Sequence, residues 1–197
     1  MDGSDADVIR AVLHGNADQY AILVDKYQGP ALRLAFSLLG NDEDAKDVSQ
    51  EAFVSAYCSL GRFRGGAKFS TWLFRIVVNE CKDVYRRRAR QPMVVARVGE
   101  ADPDADAPSL FVDVDDPAGD PSDSLANREL DQRLSAEIGR LPMKQRTVFL
   151  LHHVHGLTLE EVAGVLHCRV GTAKSHLFRA TIHLRTILNP WIEKEAL

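Results

Sequence analysis

The chain has 197 residues, 45% of them hydrophobic, and a formal net charge of −4, a composition that calls for folded cores of ordinary size. No apolar run approaches the ~20 residues of a membrane span. The acidic start, Met1 to Asp5, lacks the apolar segment of a secretory signal. A cytoplasmic protein with no membrane insertion is therefore expected. Three widely spaced cysteines, Cys58, Cys81 and Cys168, do not make a disulfide framework.

The small net charge hides an asymmetry. Residues 62–90 carry nine basic and two acidic side chains, a balance of +7, whereas residues 91–124 carry nine acidic and one basic, a balance of −8. A basic block beside an acidic one suggests a nucleic-acid surface followed by a repelling tether.

From about Val8 to Arg90 the pattern is helical. Apolar residues recur at helical spacing in Tyr20, Leu23, Val24 and Tyr27, and again in Leu32, Ala35, Phe36 and Leu39. Gly40-Asn41 ends that helix, and Asn41 or Asp42 can cap the next. The next helix runs from about Asp42 to Leu60. Its buried side holds Ala45, Val48, Ala52, Phe53, Ala56, Tyr57 and Leu60, and Gly61 closes it. A loop containing Gly65-Gly66 leads to a helix that starts at Ser70 or Thr71. That helix ends in Arg86, Arg87 and Arg88, cations suited to the negative end of a helix dipole.

Residues 91–124 differ in kind. They hold Pro92, Pro103, Pro108 and Pro121 among many Asp residues. Low hydrophobicity with high charge cannot offset the entropy of ordering, so a flexible acidic linker is expected. Its Leu110, Phe111 and Val112 are an exception suited to docking. The helical period returns in Leu130, Leu134, Ile138 and Leu141. Pro142 then breaks that helix or starts the next, whose apolar stripe is Val148, Phe149, Leu150 and Leu151.

Thr158-Leu159-Glu160-Glu161 fits a capping box, in which the Thr hydroxyl and the Glu carboxylate satisfy each other's backbone N–H groups. Leu159, Val162, Ala163 and Leu166 form one apolar face, and His167 to Val170 make a short turn. A second helix follows from Gly171 or Thr172, with Ala173, Leu177, Ala180 and Leu184 inward. Its outward face carries Thr172, Lys174, Ser175, His176 and Arg179, residue types that can contact phosphates and base edges in a major groove. The pattern is a helix-turn-helix. His152, His153, His155, His167 and Cys168 do not have the spacing of a structural zinc site. No metal, cofactor or catalytic set is expected.

Three stretches together carry a resemblance to a family. They are Asp44 to Phe53, Phe69 to Asn79, and Leu141-Pro142 through Ala180. The chain resembles the extracytoplasmic-function sigma factors over nearly its whole length. The resemblance implies an all-α fold: two small helical domains joined by a flexible acidic linker, the C-terminal one a helix-turn-helix. It places sigma region 2 at residues 1–90, the linker at 91–124 and sigma region 4 at 125–197. It departs from the family pattern at Ala173, where Val is usual, at Cys168, where Ser is usual, and at His176 and Thr181, where basic residues are common.

The resemblance also implies roles. Asp44, Asp47 and Glu51 share one helix face, and with Val48 and Gln50 they are expected to dock on the β′ clamp of core RNA polymerase. An acidic face meeting a basic one gives orientation and on-rate more than affinity. Arg64, Lys68, Ser70, Thr71, Trp72, Arg75, Asn79, Lys82, Arg86 and Arg87 are expected to hold the melted minus-ten element. There cations track phosphates and aromatics stack on unpaired bases; Trp72 also suits a core position. Arg169, Gly171, Thr172, Lys174, Ser175, His176, Phe178 and Arg179 are expected to bind the minus-thirty-five element. The implied partners are core polymerase, through its β′ clamp and β flap, promoter DNA and an anti-sigma factor, with a monomer in the free state. A helix-turn-helix regulator with an N-terminal effector or dimerisation domain is the alternative; it predicts a dimer and a palindromic site.

Overall fold

The computed structural model describes residues 4–90 and 133–195. All regular elements among them are helical, and they fall into two compact units. The acidic stretch 91–124, with Leu110, Phe111 and Val112, lies outside the described residues, as does Leu130.

In the first unit, α1 spans Asp5–Leu13, and its Ser4 hydroxyl accepts from the Asp7 N–H at 3.4 Å. Val8, Ile9 and Val12 face inward. After a 3-10 turn at Ala17–Gln19 comes α2, Tyr20–Leu39, a single helix that runs through Pro30. Asp5 fastens α1 to it, accepting from Lys26 Nζ at 2.6 Å and from the Tyr27 hydroxyl at 2.5 Å. Gly40 ends α2 in the left-handed region at φ 67°, where glycine alone adds no Cβ strain, and returns its N–H to the Phe36 carbonyl at 2.8 Å.

Of the two capping candidates, Asn41 does the work. Its side-chain oxygen accepts from the Asp44 N–H at 3.0 Å and opens α3, Asp42–Ser59. Three carboxylates, Asp42, Glu43 and Asp44, then sit in the first turn, at the positive end of the helix dipole. The helix does not close on Gly61. It tightens into a 3-10 turn at Leu60–Arg62 that contains it. The fourth helix, α4, spans Phe69–Arg90 and so begins a residue before the expected Ser70.

α2, α3 and α4 pack on one another. Leu23, Leu34, Leu38, Val48, Ala52, Phe69, Leu73, Val77 and Cys81 are buried between them. Two phenols lock the trio. Tyr20 donates to the Phe53 carbonyl at 2.8 Å and Tyr85 to the Leu38 carbonyl at 2.7 Å. Burial pushes the Cys81 thiol up to about 12, so it is an inert core group.

In the second unit, α5 is described from 133 to 140. Pro142 serves both ends: extended at ψ 138°, it stops α5 and caps α6, Met143–Phe149. Arg146 is buried, and its guanidinium donates to the Gly139 carbonyl and, at 3.1 Å, to the Leu141 carbonyl. A cation thus satisfies carbonyls that the end of α5 leaves free. The chain continues into a π turn, Leu150–Val154, which the helical stripe did not anticipate. There the His155 N–H reaches the Leu150 carbonyl at 3.0 Å, and Leu150 and Leu151 are both fully buried. His152 Nδ1 lies 2.7 Å from the Leu157 carbonyl, and its ring meets that of His153 at 4.9 Å. The last two helices are α7, Leu159–Leu166, and α8, Val170–Glu195. α8 packs on α6 and is longer than the sequence pattern suggested.

Replacing Asn41 with Ala removes the cap of α3 and is expected to lower stability by about 1 kcal/mol, read as a lower midpoint in urea with an unchanged slope. Burial, and then the neighbouring His152, hold the His153 imidazole below its ordinary value. The folded chain therefore binds fewer protons there than the unfolded one. This contribution to stability is complete above about pH 6.5 and is lost as the pH falls through the lowered value. Urea midpoints measured from pH 7.5 to 5 should fall, and His153→Gln should make the fall shallower.

Candidate interfaces for a protein partner and for nucleic acid

On α3 the acidic face is smaller than its spacing implies. Asp47, Gln50 and Glu51 are exposed. Asp44 is half-buried and forms an ion pair with Arg88 at the far end of α4. Val48 is only 1% exposed and belongs to the core between α2, α3 and α4; no partner can reach it without opening the unit. Tyr57, expected to be buried, is 45% exposed and meets Tyr20 edge-on at 5.0 Å. Val54 is 63% exposed one turn beyond Glu51 and continues the Asp47–Glu51 stripe. It was not singled out in the sequence, although its position seven residues after Asp47 places it there.

On α4 the geometry gathers most of the expected residues. Trp72, Arg75, Asn79, Lys82 and Arg86 fall at i, i+3, i+7, i+10 and i+14, one stripe opposite the buried Leu73, Val77 and Val84. Arg64 and Lys68 are exposed in the preceding loop, where Gly65 takes φ 69°. Phe63 lies 5.3 Å and Phe69 5.7 Å from the Trp72 ring. The half-buried indole is therefore packed on its inner side and reachable from solvent, which accommodates both sequence readings of Trp72. Ser70 is half-buried. Thr71 is 7% exposed and faces the interior, so it does not belong to the stripe. Two cations are partly engaged: Arg86 donates to Asp83 at 2.8 Å and Lys82 reaches Asn79 at 3.5 Å. Arg87 is exposed.

In the second unit the capping box closes as expected. The Thr158 N–H donates to Glu161 Oε2 at 2.9 Å, and the Glu161 N–H donates to the Thr158 hydroxyl at 3.2 Å. Val162, Ala163 and Val165 are buried. His167 ends α7 in the left-handed region at φ 52°, a position usually given to Gly, and the Cys168 N–H caps the Ala163 carbonyl at 3.0 Å. α8 starts at Val170, one or two residues earlier than expected, with the Arg169 carbonyl accepting from Thr172 at 2.8 Å and Ala173 at 3.1 Å.

Ala173, Ala180 and Leu184 seat α8. Arg169, Gly171, Thr172, Lys174, Ser175, Phe178 and Arg179 are exposed. Lys174, Ser175, Phe178 and Arg179 line an open concavity of about 460 Å³. Phe178 is 66% exposed, and Ile182, one turn on, is an exposed apolar residue that the sequence reading missed. His176 is the exception among the expected contacts: it is half-buried, with Nδ1 turned inward. Among the described residues no group of three His, Cys, Asp or Glu is placed to hold a metal, and no helix is long and apolar enough to cross a membrane.

These surfaces coincide with known families. Residues 23–91 match sigma-70 region 2 and residues 131–184 match sigma-70 region 4. The chain is 33% identical over 196 residues to the RNA polymerase sigma-H factor of Pseudomonas aeruginosa, covering 96% of each chain. It is 32% identical over 177 residues to the ECF RNA polymerase sigma factor SigW of Bacillus subtilis, covering 90% of this chain and 92% of that one. Its fold is similar to that of CnrH solved in complex with the cytosolic domain of CnrY, with a TM-score of 0.66 and 25% identity over 95% of this chain and 99% of that one. It is also similar to RpoE of Bartonella quintana solved with the anti-sigma factor NepR, with a TM-score of 0.59 and 26% identity over 82% and 92% of the two chains. With two sigma-70 regions in order and relatives this similar along their whole length, the chain belongs to the extracytoplasmic-function RNA polymerase sigma factors.

Proposed function

We propose that the chain brings core RNA polymerase to promoters through one docking face and two DNA grips, with region 2 at residues 1–90, a tether at 91–124 and region 4 at 125–197. The observation that carries this reading is the α4 stripe, a row of cations and amides beside a half-open tryptophan, in the same chain as a capped helix-turn-helix. Asp47, Gln50 and Glu51, with Val54 beside them, are the face offered to the β′ clamp. Asp44 becomes available if its Arg88 partner is drawn to a phosphate.

Arg64, Lys68, Trp72, Arg75, Asn79, Lys82, Arg86 and Arg87 hold the melted minus-ten strand. Arg169, Thr172, Lys174, Ser175, Phe178 and Arg179 take the minus-thirty-five element. In that groove Phe178 can meet thymine methyl groups while the cations take guanine edges and phosphates. Region 4 also meets the β flap. The reading gives the chain no chemistry of its own and places it in the cytoplasm as a monomer. An anti-sigma factor is a further partner of this reading; the Bartonella quintana relative is solved in complex with one, NepR.

A single helix-turn-helix with few phosphate contacts binds weakly and loses affinity with salt. Tethering it to a second site raises its effective concentration without any new contact. Run-off transcription with purified core polymerase is expected to give promoter-specific products only when the chain is present; products identical with and without it would overturn the reading. The double variant Asp47→Lys/Glu51→Lys should weaken binding to core polymerase at least tenfold in a fluorescence titration while leaving the fold unchanged by circular dichroism.

A further inference from the structure

At 100° per residue the outward side of α8 from Gly171 to Ile182 divides into three strips. The centre holds Gly171, Ser175, Phe178 and Ile182. One flank holds Lys174 and Thr181, the other Thr172, His176 and Arg179. A helix seated in a major groove turns its centre to the base edges and its flanks to the two phosphate walls.

The two flanks are not alike. α8 packs on α6, which carries the exposed Lys144, and the charge of Lys144 is felt at His176 on the second flank. His176 is half-buried, and its Nδ1 is buried with no hydrogen-bond partner. Burial, then Lys144 from α6, then Arg179 from its own helix hold the imidazole below its ordinary value. Both charged groups that act on the ring are therefore cations. Two elements bring positive charge to one point, an arrangement that is unfavourable while empty and favourable around an anion.

We propose that Lys144, His176 and Arg179 form one backbone-phosphate site spanning α6 and the recognition helix, and that His176 takes up a proton from solvent when the phosphate arrives. A neutral imidazole carries a proton on only one of its nitrogens, whereas the protonated ring donates from both, so Nε2 then donates to the phosphate oxygen and the anion offsets the repulsion from Lys144 and Arg179. The site rests on the reading of α8 as the DNA helix. It adds a residue outside the helix-turn-helix, Lys144, and makes DNA affinity respond to pH.

The test uses the chain assembled with core polymerase and a promoter duplex containing the upstream element, titrated by fluorescence anisotropy across salt and pH. Lys144→Ala should lower the log–log salt slope by about 0.9, the loss of one phosphate contact. Affinity of the wild type should rise several-fold from pH 7.5 to 6, and His176→Gln should abolish most of that rise. An unchanged slope in Lys144→Ala, with a reduced slope in Lys174→Ala, overturns the proposal and leaves α8 as the DNA helix. Unchanged slopes in both variants overturn that underlying reading as well. A pH response that persists in His176→Gln overturns the proton uptake.

Discussion

The first unit depends on one helix doing two incompatible things. The inner face of α4 supplies Phe69, Leu73, Phe74, Val77, Val78, Cys81 and Val84 to the core, while its outer face carries a row of cations. Apolar burial holds the helix in place, at roughly 25 cal/mol per Å² removed from water, and the cations then have little freedom to avoid one another. The structure relieves their repulsion locally, with Arg86 on Asp83 and Arg88 on Asp44. Surface pairs of this kind contribute about 0–1 kcal/mol each. On the proposed reading, pairs this weak can be exchanged for phosphates at small cost.

The same logic governs α8 with different means. The first turns of its anchoring side rest on Ala173 and Ala180, small residues that let the helix lie close to its neighbours, with Leu184 further along. Near its start, the entry therefore does much to fix its direction. The reciprocal Thr158–Glu161 cap and the left-handed His167 turn set where α8 begins. The buried Arg146 holds the end of α5 against the start of α6 through carbonyls that would otherwise be unsatisfied.

Much of this was legible in the sequence, and what was not has physical reasons. Local chemistry read well: the glycine at 40, the Asn41 cap and the Thr158–Glu161 box depend on neighbours within four residues. Val48 was given two roles, a buried position by periodicity and a docking position by family pattern; the structure follows periodicity, since a branched apolar side chain between three helices has no reason to turn out. Tyr57 and Trp72 lie at stripe edges, where an aromatic ring can be packed on one side and wet on the other, so period alone cannot place them. Thr71 is polar yet buried, and His176 is polar yet half-buried, because a polar side chain at a stripe edge need not face solvent. The π turn at Leu150–Val154 left no sequence mark beyond two consecutive leucines, both buried, which an α-helix at an interface of one stripe does not easily accommodate.

Exposed apolar residues stand on both α3 and α8. Val54 extends the Asp47–Glu51 stripe, and Phe178 and Ile182 run along the cationic face of α8. Single exposed apolar side chains are ordinary on a protein surface. Here, though, they stand beside unpaired charge of one sign, which is the composition of an interface rather than of a solvated face. Charge at such a site governs encounter, orientation and salt dependence, while desolvated apolar contact governs how long the complex lasts. On the proposed reading, each face carries a charged part that finds the partner and a small apolar part that holds it. With so small an apolar part on both α3 and α8, that reading has neither face holding alone and the chain acting where both are engaged together.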